Sequence, residues 1–333
     1  MSHKKTLKPE SLMMSHGYKP ELSEGAVKPP LFQTSTFVFK NAEEGKAFFE
    51  LAYGVRDKSE GEEIGLIYSR INNPNLQILE ERLAVWDRTD AAAIFGSGMA
   101  AISTTMLEFL KSGDLLVYSS TLYGGTDHFI HDYLHNMGVH SIAFKPNSTQ
   151  EEVEALIEKS GKADKLAMIY AETPANPTNA IVDVAMCRKV ADKYIAKNKK
   201  EVIVAVDNTY MGPLWCQPIE HGADLSLYSA TKYLGGHSDL VAGSVAGSNE
   251  LIGRIKGLRT FFGNMASPHT CWLLLRSLET LKIRMEAQAA NASKIAEFLS
   301  DHPKVEKVYY LGLIKETDSD YKVYQQQYTS PGA

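Results

Sequence analysis

Cysteine is scarce. The 333 residues hold three, Cys187, Cys216 and Cys271, each isolated, with no CxxC pair and no metal-ligand spacing. That pattern excludes a disulfide framework and a cysteine-based metal site. It leads to the expectation of reduced, buried thiols in a cytoplasmic protein. No apolar run reaches the roughly 18 residues a membrane helix needs. Charge of neither sign dominates: 35 Lys+Arg stand against 40 Asp+Glu, a net charge of −5. There is thus no electrostatic footing for nucleic acid or an anionic membrane. The opening Met1-Ser-His-Lys-Lys-Thr6 is charged but lacks the apolar segment of a secretory signal. Repeats and low-complexity tracts are absent too. A globular chain remains, long enough for one large domain and part of another.

What is present centres on Asp224-Leu-Ser-Leu-Tyr-Ser229-Ala-Thr231-Lys232-Tyr-Leu-Gly-Gly-His237. An apolar stretch delivers two hydroxyls, Ser229 and Thr231, on either side of Ala230 and just before a lysine. Lys232 reads either as a surface lysine after a buried strand or as a Schiff-base lysine. In the second reading the hydroxyls hold the phosphate of pyridoxal phosphate. Upstream, Val202–Val206 is a continuous apolar run, as in a strand buried on both faces, and Asp207 follows at once. A carboxylate at that place needs a cation or serves as a turn cap, and a pyridinium nitrogen is such a cation. Ala91–Phe95 reads as a short buried strand, and Gly96-Ser-Gly98-Met99-Ala-Ala101 as a tight turn opening a helix. Such a turn offers unpaired amides and the positive helix end to an anion. Gly96-x-Gly98-x-x-Ala101 also fits a loose dinucleotide fingerprint. However, the next strand, Leu115–Tyr118, ends in Ser119-Ser120-Thr121, without the acid that would hold a ribose.

The lysine stretch, from Asp224 through Ser229-Ala230-Thr231-Lys232-Tyr233 to Gly236-His237-Ser238, resembles the signature of the Cys/Met-metabolism family of pyridoxal-phosphate enzymes. These are the cystathionine γ-synthases, cystathionine γ- and β-lyases, methionine γ-lyases and homoserine-ester sulfhydrylases. The resemblance implies an α/β, aspartate-aminotransferase-type fold (fold type I), with a mostly parallel sheet flanked by helices and a small C-terminal domain. It implies that Lys232 holds the cofactor as an internal aldimine and moves the substrate protons, and that Asp207 keeps the ring nitrogen protonated. The amides of Gly98 and Met99 would take the phosphate with Ser229 and Thr231. Tyr123, in Tyr123-Gly-Gly-Thr126, would stack on the ring and protonate the leaving group. Otherwise it is an ordinary half-buried aromatic. Gly125 stands where some methionine γ-lyases carry cysteine. Asn176, in Glu172-Thr-Pro174-Ala-Asn176-Pro177, would bond the cofactor's 3′-oxygen or else cap a turn. Tyr68 and Arg70, in Tyr68-Ser-Arg70-Ile-Asn-Asn-Pro74, would reach the phosphate of the adjacent subunit from an extended segment. Arg259 would lie near the substrate channel, and His237 behind the site or in a structural role.

Three regions are expected. Residues 1–66, interrupted by Pro9, Pro20, Pro29 and Pro30, read as a poorly periodic arm that crosses to a partner subunit, with Lys58-Ser-Glu-Gly-Glu-Glu63 as an exposed loop. Residues 67–300 form the cofactor domain. Its elements alternate: a helix from Pro74 with Leu76, Leu79, Leu83 and Trp86 as its apolar face, and strands at 139–144, 165–170 and 239–247. Further helices are read at 127–136, 149–159, 184–197, 251–262, 271–285 and 287–299. Residues 301–333, beginning with Val305–Leu311, read as the start of a small domain that is incomplete in this sequence. The arginine that binds the substrate carboxylate in the family would lie in the missing part, because no arginine follows Arg284. The expected protein is a homo-oligomer, a tetramer built of dimers with shared sites. Its substrate is a small sulfur amino acid, processed at Cγ by elimination or by replacement, and an inactive cofactor-binding scaffold is the rival of another class.

Overall fold

The apolar runs become strands: β1 (Ala91–Phe95), β2 (Leu115–Ser119), β3 (His140–Phe144), β4 (Leu166–Glu172), β5 (Ile203–Asp207), β6 (Leu225–Tyr228) and β7 (Gly243–Gly247). In the computed structural model, which describes residues 7–59, 62 and 65–333, they form one sheet in the order β1-β7-β6-β5-β4-β2-β3. β6, β5, β4, β2 and β3 are parallel, whereas β7 runs antiparallel to β6 and β1. The helices are α1 (Pro9–Leu12), α2 (Ala42–Ala52), α3 (Pro74–Asp87), α4 (Gly98–Phe109), α5 (Gly124–His128), α6 (Gln150–Lys159) and α7 (Val184–Asn198). Then come α8 (Gly212–Trp215), α9 (Asn249–Phe262), α10 (Pro268–Leu278), α11 (Leu281–Ser300) and α12 (Tyr321–Gln327).

Side chains alternate across the sheet, and the two faces are covered separately. Leu116 and Tyr118 of β2 and Ile203 and Ala205 of β5 pack with Met106 of α4 and Ile255 of α9. Leu115, Val117, Val204 and Val206 face the other way, against Val153 and Ile157 of α6 and Val190 and Tyr194 of α7. On that same side, under β1 and β7, lies a core of Leu76, Leu79, Leu83 and Trp86 from α3 with Leu274 and Leu278 of α10. The apolar face expected for α3 is therefore the buried one.

Several boundaries differ from expectation. α2 stands within the stretch read as helix-poor. Its Asn41 side chain accepts from the Glu44 amide and the Glu44 carboxylate accepts from the Lys40 amide, so a cap rather than a long apolar stripe starts it. The break between the last two long helices falls at Glu279–Thr280, not at Glu286, because Leu281 and Met285 must both turn into the core. Only Gly243–Gly247 of the run from Asp239 is a strand, and Val305–Tyr310 is irregular before a 3₁₀ turn at Leu311–Leu313. Residues 9–18 lie on their own chain: Met13 is fully buried among Leu76 and Leu83, and Lys282 binds Glu10 at 2.8 Å. α12 likewise packs on this core through Val323 and Tyr324, and Tyr328, just after it, is buried in the same cluster as Trp215. The tract Lys58–Glu63 lies partly outside the described residues.

Candidate active site

The carboxyl ends of β2, β4, β5 and β6 open into a cavity of about 850 Å³. Ligands of open α/β sheets collect at such ends. Its walls come from four loops and the start of one helix. Ser97, Gly98 and Met99 open α4; Tyr123 follows β2; Glu172 and Asn176 end β4; Asp207 and Thr209 end β5; Ser229, Thr231 and Lys232 follow β6. The structure thus brings eight expected residues into one cavity: Gly98, Met99, Tyr123, Asn176, Asp207, Ser229, Thr231 and Lys232.

One wall is built for an anion. The Ser97 side chain caps the Ala100 amide at 3.0 Å and the Ser97 carbonyl takes the Ala101 amide. The amides of Gly98 and Met99, first in the helix, therefore lack an intrahelical acceptor and lie at its positive end. The approach of the neighbouring loop demands glycine: a Cβ on Gly98 would stand 2.9 Å from Ser229 Cβ. Ser229 faces this turn with its hydroxyl. Thr231 is more committed, since its Oγ1 donates to the Ala242 carbonyl and accepts from the Ala242 amide. A tight turn from Ala230 to Gly236, closed by bonds from Gly235 to Ala230 and from Gly236 to Lys232, presents the Lys232 side chain to the cavity, with no ion-pair partner among the described residues.

The opposite wall is acidic. Asp207 is 5% exposed. Its Oδ1 accepts from the Thr209 hydroxyl at 2.6 Å and the Thr209 amide at 3.0 Å, and its Oδ2 from the Tyr170 hydroxyl at 3.4 Å. Thr209 Oγ1 in turn accepts from the Ser229 amide at 2.8 Å, which ties the acid to the lysine loop. Burial pushes the Asp207 carboxyl up, against these bonds. Glu172, register-paired with Asp207 and 8% exposed, is pushed up to about 7, first by burial and then by the charge on Asp207. The cavity therefore holds two buried acids in want of a cation, with Lys232 the one cationic side chain among its described lining residues.

The sequence profile of the Cys/Met metabolism PLP-dependent enzymes matches residues 10–333. The chain belongs to that family. It is 40% identical to L-methionine gamma-lyase of Pseudomonas putida over 319 residues, which cover 95% of this chain and 74% of the relative. It is 38% identical to cystathionine gamma-lyase of Bacillus subtilis (strain 168) over 307 residues, 92% of this chain and 73% of the relative. The crystal structure of cystathionine gamma-lyase from Lactobacillus plantarum complexed with L-serine matches with a TM-score of 0.82 at 31% identity. That match covers 98% of this chain and 77% of the other. The fold is accordingly fold type I, and the protein is a pyridoxal-phosphate-dependent enzyme of Cys/Met metabolism.

The cavity of this Cys/Met-metabolism enzyme fits the cofactor. Two unpartnered helix amides and the Ser229 hydroxyl suit a phosphate, Lys232 suits an aldehyde, and a buried acid suits a ring nitrogen. Tyr68 and Arg70 do not join the cavity of their own chain. Tyr68 bridges to Thr36, a turn rather than an extended run follows it, and the Arg70 guanidinium lies 5.5 Å from the Tyr68 ring and donates to the Thr260 carbonyl. Arg259 is not at the cavity either. It is buried, donating to Glu80 at 2.6 Å and to the Ile94 carbonyl at 2.7 Å, so it neutralises an acid within the core. His237 bonds the Gly235 carbonyl at 2.7 Å, a structural role. Sequence reasoning passed over Glu172 and Thr209. An acid closing an apolar strand, the same signal that marks Asp207, was there to find Glu172.

Proposed function

We propose that this enzyme is a carbon–sulfur lyase that eliminates the γ-substituent of a sulfur amino acid, releasing a thiol, 2-oxobutanoate and ammonia. The observation that carries the reading is the meeting of Lys232, Tyr123 and Asp207 in one cavity beside the amides of Gly98 and Met99. The similarity to L-methionine gamma-lyase and cystathionine gamma-lyase supports it. When bound, pyridoxal phosphate supplies an aldehyde for the Lys232 amine and a ring that takes up the electron pair left at Cα. The remaining work falls to side chains. The Lys232 amine, displaced by the substrate's amino group, removes the proton from Cα, passes it on to become a base again, and then takes one from Cβ. Asp207 keeps the ring nitrogen protonated. Tyr123, 58% exposed at the mouth, gives its hydroxyl proton to the departing sulfur. Gly98, Met99, Ser229 and Thr231 hold the phosphate, Thr231 by turning its hydroxyl proton from the Ala242 carbonyl to a phosphate oxygen. Asn176 bonds the 3′-oxygen, and Tyr68 and Arg70 complete the phosphate site of a partner subunit.

Incubation of the cofactor-loaded protein with L-methionine or cystathionine tests this. Release of 2-oxobutanoate and thiol from either substrate alone is expected, with the visible absorption of the loaded protein and all turnover lost in Lys232→Ala. Product only when an acyl-homoserine and cysteine are supplied together would identify γ-replacement instead. Cofactor binding without turnover of any of these would identify a scaffold.

A further inference from the structure

β4 and β5 end side by side on a pair of carboxyls. Glu172 and Asp207 are direct neighbours in the parallel register, so their side chains leave the sheet on the same face, and both line the cavity. Two buried acids so placed repel when both are ionised. Glu172 also has its oxygens engaged by backbone. Oε2 accepts from the Tyr123 amide at 2.5 Å and Oε1 from the Asn176 amide at 3.4 Å. Its own amide donates to Ser119 Oγ at 3.1 Å. One side chain therefore spans the loops after β2 and β4, each of which carries a residue proposed to touch the cofactor.

We infer that Glu172 is a positioning residue for cofactor binding, fixing the Tyr123 and Asn176 loops and sharing a proton with Asp207 until a cation enters the cavity. The inference rests on Asp207 meeting the cofactor's ring nitrogen. The groups bonded to Asp207 are the Tyr170 hydroxyl from β4 and Thr209 from the β5 loop, and the other titratable groups lining the same cavity are Tyr123 from the β2 loop, Tyr210 from the β5 loop, and Lys232 and Tyr233 from the β6 loop. In the empty cavity at acidic pH the pair retains a proton. A protonated ring nitrogen beside Asp207 favours ionisation of both acids, so binding expels that proton. By linkage the affinity rises as pH climbs towards 7 and levels above it. An amide at position 172 removes the second charge and turns an NH₂ against a backbone N–H. The carboxyl of Asp207 then titrates lower, and one loop loses its acceptor.

Pyridoxamine 5′-phosphate is the probe, since it carries ring and phosphate but forms no bond to Lys232. Its dissociation constant is measured from pH 5.5 to 9 for the wild type, Glu172→Gln and Glu172→Asp, with far-ultraviolet spectra to confirm folding. Wild-type affinity should rise through the region of pH 7. In Glu172→Gln binding should weaken by roughly tenfold at pH 8, and the rise should move about one unit or more towards acid. Glu172→Asp, which keeps the charge but shortens the reach, should weaken binding while keeping the rise near 7. Parallel wild-type and Glu172→Gln profiles would overturn the shared proton. If Glu172→Gln does not fold, Glu172→Asp affinity within twofold of wild type would overturn the positioning role. A wild-type protein that does not bind the probe would overturn this inference together with the cofactor site itself.

Discussion

Gly243 in β7 and Gly98 in α4 meet across the floor of the anion turn. A Cβ built on Gly243 would stand 2.7 Å from Gly98 Cα and closer still to the Ser97 carbonyl. These are backbone atoms of a helix start, which no side-chain rotation can move aside. Gly243→Ala is therefore expected to push the turn away from β7. The cost is about 1–3 kcal/mol of stability from overpacking, with a parallel loss of cofactor affinity. Denaturant unfolding and cofactor titration of the variant check this, and unchanged values for both would show that the floor can yield. Asp207 stood out in the sequence because a carboxylate at a buried strand end is costly unless it meets a cation, and Lys232 because two hydroxyls stand just before it in a stretch that resembles a family signature. Glu172 carries the same local signal, an acid closing an apolar strand, but its meaning depends on the strand beside it. That β4 and β5 align Glu172 with Asp207 is a fact of register, which neither segment states alone.

The elements that could be read were those whose signal is local. α3 announced itself through Pro74 at its first turn and four apolar residues at helical spacing, and all four are buried. The boundary between α10 and α11 was misplaced because tertiary packing of Leu281 and Met285 decided it. α3 also brings an acid into the core. Asp87, 1% exposed, accepts from the Tyr228 hydroxyl of β6, which receives further bonds from Ser226 and Asn208. No cation joins this group among the described residues. Burial pushes Asp87 up to about 7, against the bond from Tyr228. A folded-state value above the unfolded one means that folding takes up a proton between about pH 4 and 7. This group's contribution is thus fully present at low pH, falls as pH rises through that window, and is flat above it. The total change is on the order of a few kcal/mol. Asp87→Asn keeps an oxygen for Tyr228 and removes the charge. The variant should lose less stability than wild type between pH 5 and 8 and be the more stable at pH 8. Equal slopes in paired urea titrations would show that Asp87 is ionised throughout.

The whole molecule poses a question that no single element answers: Tyr68 and Arg70 belong to the motif set yet lie away from their own cavity. They sit in an apolar surface. Ile71 is exposed beside them, and the bond from Arg70 to the Thr260 carbonyl sets this turn next to Phe261 and Phe262, with Phe261 86% exposed. Val38, 95% exposed, lies two residues beyond the Thr36–Tyr68 bridge. Exposed apolar residues gathered in this way mark an interaction face. A two-fold contact there would carry each arginine towards the other subunit's site. Arg70→Ala and Lys232→Ala would then damage different sites of a mixed dimer. One site of that dimer carries both changes and the other carries neither. Each variant alone should be inactive or nearly so. After joint unfolding and refolding in equal amounts, half of the dimers are mixed and half of their sites intact, so about a quarter of wild-type turnover should return. Recovery must grow with the mixed fraction as the ratio of the two variants is varied. No recovery from folded, cofactor-loaded mixtures would place Arg70 outside any shared site and leave the apolar face to another purpose.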